Sequence, residues 1–196
     1  MQADFRSLIS SDLFRYIGRD GVSFTEYPKL FRIYPGFKYT FFLRLYNDTR
    51  QKRGIYRLIH YWAGLNHKHL IRTYNTVILP GTSIGPGFRI IHIEAGGIVI
   101  HPKAVIGSNC TLFHGVTIGR MFRGPRDGEP QIGDDVFIGP GAKVLGNISV
   151  GHRAAIGANA VIIDDVPDDA AVVGVPGRVV SFEGSKGIVF HRYSET

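Results

Sequence analysis

With one cysteine among 196 residues, Cys110, the chain can close no internal disulfide, and its composition fits a reducing compartment. No window approaches the 18 or so uninterrupted apolar residues of a membrane span. The opening stretch "MQADFRSLISSDLFRYIGRD" meets charges too early for a secretory leader. Together these absences predict a cytoplasmic location. Negative charge is scarce in the first part: residues 1–76 carry 13 Lys/Arg against 5 Asp/Glu, whereas residues 77–196 carry 10 against 11. Of 23 aromatic residues, 16 also precede residue 77. The basic excess contains no nucleic-acid recognition motif, so nucleic acid is not an expected partner.

From residue 78 the helical period is absent and a period of six takes its place. Aliphatic residues recur at Ile78, Ile84, Ile90; then Ile100, Ile106, Leu112, Ile118; then Ile132, Ile138, Val144, Val150, Ile156, Ile162. Four residues after each, Ile90 before the first break excepted, stands a second small or apolar residue, among them Thr82, Phe88, Ala104, Cys110, Val116, Val136 and Ala142. Such a unit reads as a short strand and a turn, with both positions facing inward. Three hexads make one 18-residue triangular coil, and stacked coils bury a thin aliphatic column. The expected fold is a parallel β-helix over 77–180, with a tail over 181–196. Cys110 occupies an inward slot and is expected to be structural.

Residues 1–76 lack the hexad period and predict a small N-terminal α-helical cap. "SDLFRYIGRD" and "FKYTFFLRLYNDTRQKRG" have apolar residues at helical spacing. "IYRLIHYWAGLNHKHLIRTY" reads as a third helix interrupted near Gly64, and "YPKLFRIYPGF" as a connector punctuated by proline and glycine.

Two gaps break the sixes. Ile90 to Ile100 is ten residues, one hexad plus four. Ile118 to Ile132 is fourteen, either two hexads plus two or one hexad plus eight, and it contains the polar loop 119–131. His92 and His114 each stand two after an aliphatic and lie 22 residues apart, one coil plus the four extra residues of the first gap. If those four loop out, the two imidazoles stack on adjacent coils. Imidazole suits the removal of a hydroxyl proton near neutral pH, which makes His92 and His114 candidate catalytic residues. His101 and His152 are expected to serve turns, and His60, His67, His69 and His191 lie outside the repeat. A zinc enzyme would need two histidines five apart in the strand layer, a spacing these histidines do not offer.

"ILPGTSIGPGFRIIH", "GGIVIHPKAVIGSNCTLFHGVTIG" and "IGDDVFIGPGAKVLGNISVGHRAAIGANAVIIDDVPDDAAVVGVPGRVV" resemble the hexapeptide-repeat acyltransferases, in their serine acetyltransferase-like branch. The resemblance covers 78–180 and extends into "YPGFKYTFFLRLY". It implies a left-handed β-helix, a homotrimer, and acetyl-CoA in the groove between subunits as the acyl donor, with no metal. It places the family's catalytic histidine on His92 and acetyl-CoA along Gly139, Ala142, Gly157 and Ala158, with Arg178 toward its phosphates.

The departures from the serine enzymes are informative. By the same resemblance, Val77 replaces a carboxylate that orients the histidine, Ile91 replaces an aspartate, and Glu129 replaces a second histidine. Glu94 and Glu129 remain as candidates to orient His92. Loss of this polar shell would leave the ammonium and carboxylate of serine underpaired. The expected acceptor is therefore a hydroxyl of a sugar or surface-polysaccharide precursor, with L-serine as the alternative and a non-catalytic assembly module behind both. The basic, aromatic N-terminal segment suits peripheral association with the inner face of a membrane.

Overall fold

The computed structural model describes residues 4–193. From Val77 onward the chain winds as short parallel strands that stack into three faces. One face holds β1 (Val77–Ile78), β4 (Val99–Ile100), β7 (Thr117–Gly119), β10 (Lys143–Leu145) and β13 (Val161–Ile162). The second holds β2 (Ser83–Ile84), β5 (Val105–Ile106), β8 (Gln131–Ile132) and β11 (Ser149–Val150). The third holds β3 (Arg89–Ile91), β6 (Thr111–Phe113), β9 (Phe137–Ile138), β12 (Ala155–Ile156), β14 (Ala171–Val173) and an antiparallel final strand, β15 (Arg178–Ser181).

Register gives the coil length directly. Val99 pairs with Thr117, 18 residues on, and Lys143 with Val161, again 18. Val77 instead pairs with Val99 at 22, and Thr117 with Lys143 at 26. The second gap is thus one hexad plus an eight-residue excursion. The inward slots close as the periodicity predicts: Ala104, Cys110, Val116, Val136, Ala142, Ala154 and Ala160 have no exposed surface. Ile84, in the first coil, is only partly buried.

Four helices precede the coils: α1 (Phe5–Ile17), α2 (Tyr27–Ile33), α3 (Pro35–Thr49) and α4 (Tyr56–Tyr74). Two local expectations are corrected. The "YPKLFRIYPGF" stretch is helical on both sides of Tyr34, because Pro28 and Pro35 sit in first turns, where a missing N–H breaks no bond. Helix α4 runs through Gly64 uninterrupted. The glycine clears the Tyr46 ring, whose Cε2 would lie 2.6 Å from an added Cβ.

The cap solves the open-edge problem of the first coil, whose strands have no preceding coil to pair with. The Tyr39 hydroxyl accepts from Ile78 N (3.2 Å) and donates to Thr76 O (3.0 Å). The Tyr16 hydroxyl accepts from Ile90 N and donates to Ile90 O, both at 2.9 Å. Arg44 donates to the Ile84 and Gly85 carbonyls at 2.6 Å while paired with buried Asp12 at 3.1 Å, and Asp12 accepts from Phe88 N at 2.8 Å. The C-terminal tail returns to the same seam: Arg15 Nε donates to Phe190 O at 3.0 Å, and Tyr193 N donates to Asn109 Oδ1 at 2.9 Å.

Candidate active site

Strands β3 and β6 deliver the two candidate histidines. Their register pairs Ile90 with Leu112 and Ile91 with Phe113, so His92 and His114 follow in step on adjacent coils. The ring centroids are 6.3 Å apart, edge to face, and His92 lies 5.9 Å from the Phe113 ring. His92 is exposed and His114 half-buried. The Nδ1 of His114 is sealed from solvent and has no hydrogen-bond partner among the described residues.

The break in the sixes is what sets His92. Left-handed backbone otherwise recurs at fixed corners of the coils, at Gly97, Gly115, Gly141 and Asn159 and again at Asn109, Asp135, Arg153 and Asp169. His92 adopts it outside those columns, at φ 54°. A non-glycine residue held there points to a position fixed by its surroundings. The extra residues follow as a 3-10 turn, Ile93–Ala95, which buries Ile93 in the core instead of looping freely outward. Gly97 N donates to Asn75 O (2.9 Å), and an added Cβ on Gly96 would lie 2.8 Å from Tyr74 O. The end of α4 thus clamps the turn that carries His92.

Neither Glu94 nor Glu129 pairs with His92 among the described residues. Histidines that meet a carboxylate among the described residues are His101 and His152. Glu129 accepts from Arg120 Nη1 at 3.0 Å and lies 3.7 Å from His101 Nδ1. Arg120 also donates to Asp127 at 2.7 Å, and Met121 and Gly128 bridge antiparallel, so the 119–131 excursion is a braced loop. Within one chain Glu129 belongs to the corner after β4 and β7, whereas His92 belongs to the corner after β3. His101 serves its turn as expected, its Nδ1 accepting from Lys103 N at 3.3 Å, while its approach to Glu129 was not foreseen from the sequence. Register would have found it, since Ile100 pairs with Ile118 and brings His101 to the base of the loop. Glu94 is exposed within the 3-10 turn. Burial raises the nearby Tyr74 hydroxyl above its ordinary value, and the Glu94 charge adds to the shift.

The residues expected along acetyl-CoA lie on the C-terminal coils. Gly139 is buried and Gly157 half-buried. Ala158 and Arg178 are exposed. Ala142 is fully buried, with its N–H bonded to Gly139 O and its C=O to Thr117 N, so the expectation that it lies along acetyl-CoA is corrected: it belongs to the core. Coil stacking already demands glycine at 139 and 157, where an added Cβ would meet Ala158 N at 2.9 Å and Val173 Cγ1 at 2.7 Å. A concavity of about 940 Å³ lies apart from all of these, between α3, the following loop and α4. Neither His92 nor His114 lines this concavity.

Comparison with known proteins follows this geometry. Residues 129–164 match the family model described as bacterial transferase hexapeptide, six repeats. The serine acetyltransferase of Synechococcus elongatus is 35% identical over 187 residues, covering 94% of this chain and 69% of that protein. This chain belongs to the serine acetyltransferase-like hexapeptide acyltransferases. The serine acetyltransferase of Bacillus subtilis is 48% identical over 109 residues, 56% of this chain and 49% of that protein. The chain thus spans about half the length of some relatives and little over two thirds of others. A crystal structure of Brucella abortus serine acetyltransferase in complex with coenzyme A superposes with a TM-score of 0.70 at 29% identity, covering 90% of this chain and 68% of that one. In this serine acetyltransferase-like chain, Val77 and Ile91 are half-buried apolar residues. No group of three or more potential metal ligands occurs among the described residues.

Proposed function

We propose that the chain is an acetyl-CoA-dependent O-acetyltransferase with His92 as general base and L-serine as acceptor. The observation that carries the chemistry is the placement of His92: exposed, held in a left-handed turn by α4, and in register with His114. Its imidazole takes the proton of the acceptor hydroxyl as the oxygen attacks the thioester carbonyl of acetyl-CoA. The tetrahedral intermediate then expels coenzyme A as thiolate, which the imidazolium protonates, leaving an O-acetyl ester.

Relatives with serine acetyltransferase as their name support serine and lend no support to the sugar or polysaccharide acceptor expected from the missing polar shell. In this reading His114 lines the site beside His92, and Glu129 reaches the imidazole pair from a neighbouring copy in a homotrimer. Acetyl-CoA would lie between copies, past Gly139, Gly157 and Ala158, with the Arg178 guanidinium available to its phosphates.

A second reading rests on the apolar character of Val77 and Ile91, which favours a hydroxyl acceptor without an ammonium group. Steady-state acetyl transfer from acetyl-CoA to L-serine, compared with transfer to an uncharged sugar alcohol, separates the two. Efficient serine turnover is expected, and preference for the uncharged acceptor would overturn it. His92→Ala should lower kcat by about 10²- to 10⁴-fold, and an unchanged rate would remove His92 from the mechanism.

A further inference from the structure

Helix α4 is apolar on two opposite sides; the fold covers one and engages the other only at Trp62, whose ring meets Phe42 at 5.2 Å. Ala63, His67 and Leu70 face the core. On the other side Leu58, Tyr61, Trp62 and Leu65, spaced i, i+3, i+4 and i+7, form a ridge with more than half of each residue exposed. Contiguous patches of this kind mark interaction surfaces. The concavity of about 940 Å³ runs along this ridge, shares Tyr61 and Leu65 with it, and is lined by Arg50, Lys52, Arg53, Arg57 and Lys68 without an acidic residue. From residue 49 to residue 93 the sequence contains no Asp or Glu at all. No helix of the described residues is long and apolar enough to cross a membrane.

We infer that this face of α4 docks on the surface of an anionic phospholipid bilayer, with the ridge entering the interfacial layer and the cationic pocket receiving lipid phosphates. Aromatic and leucine side chains flanked by Lys and Arg are what an interfacial helix requires, and each cation near an anionic surface adds to binding. A second copy of the chain is the poorer occupant. A two-fold contact through this ridge would bring the same cations of both copies together, with Asp48, which pairs with Lys52 at 2.6 Å, as the acid beside them and Arg50, Arg53, Arg57 and Lys68 left to repel.

The test is sedimentation of the full chain with vesicles of phosphatidylcholine alone and of phosphatidylcholine mixed with phosphatidylglycerol. Binding to the mixed vesicles only is expected, weakened by added salt. The variant Leu58→Ser/Tyr61→Ser should bind them at least about tenfold more weakly. The variant Arg53→Ser/Arg57→Ser/Lys68→Ser should lose about a hundredfold. Both should keep their circular dichroism and their acetyl transfer in solution, because none of these residues belongs to the proposed active site. Equal binding to both vesicle types, no binding to either, or a concentration-dependent doubling of mass that Leu58→Ser/Tyr61→Ser abolishes would overturn the inference. Vesicle binding is read without acetyl-CoA or acceptor, so the outcome is independent of the proposed activity.

Discussion

At the scale of the residue, histidine takes three distinct parts in this chain. His92 is placed by a backbone turn, His101 by a carboxylate loop, and His67 by burial. The His67 ring packs edge to face on Tyr39 at 5.1 Å and near-parallel to Tyr46 at 6.4 Å, and its Nε2 has no partner among the described residues. Burial therefore lowers its imidazole to about 4, well under the ordinary 6.5. Between those values the unfolded chain binds a proton that the folded chain refuses. The stability is complete above about pH 6.5 and is lost as the pH falls toward 4, by up to about 3 kcal/mol. Urea unfolding at pH 7 and pH 4.5 should show this loss, and His67→Phe should flatten the dependence in that window. Cys110, fully buried with its thiol pushed up to about 12, keeps the structural part expected of an inward slot.

At the scale of the element, the coils and the cap depend on each other in an unequal way. A coil's inner positions are dictated locally, since each hexad presents its aliphatic and its small residue to the same column. The first coil is different, because its outward-pointing N–H and C=O groups have no neighbour except side chains from the helices. Tyr16 serves both groups of Ile90, one strand position from the segment that turns into His92. Tyr16→Phe should cost about 1–3 kcal/mol of stability, measured by thermal or urea unfolding, because two buried backbone groups lose their partner. A cost near zero would show that water or a shifted side chain replaces the hydroxyl.

Legibility follows the same division. The strand positions, the inward slots, the 22-residue alignment of His92 with His114 and the projecting 119–131 loop all repeat or interrupt a short period, so they could be read before any coordinates. The continuity of α4 through Gly64 could not, because it depends on the Tyr46 ring from another helix. The 18-residue register that brings His101 to the base of the loop was legible too, whereas the pairing of Glu129 with Arg120, nine residues away, follows from the loop's own fold, which no period marks. The carboxylate sought for His92 was an element-level question that sequence spacing posed and did not answer.

At the scale of the whole molecule, the solenoid separates the candidate groups. His92 and His114 occupy one corner of the triangular coil, the Glu129 loop another, and the cationic pocket lies against the cap. A prism with groups on separate corners can unite them only by packing corner to face with further copies around an axis. Sedimentation equilibrium is expected to give the mass of three chains, and specific acetyl transfer should fall on dilution in step with loss of that mass. A fully active monomer would require the donor and acceptor to bind on one exposed corner. Docking of the exposed α4 ridge on a bilayer, as inferred above, would add a fixed orientation to this assembly.

By itself the sequence determined the coil: a six-residue period leaves no freedom in which side chains face inward, and its interruptions count the inserted residues. It also determined that His92 and His114 stand in register once the first insertion is accommodated. Only the tertiary structure decided what holds them there, because the clamp on residues 92–97 comes from the end of α4 and the hydrogen bonds that cap the first coil come from residues up to 76 positions away. Contacts between distant segments depend on how two separately patterned pieces meet, and no period within either piece encodes that meeting.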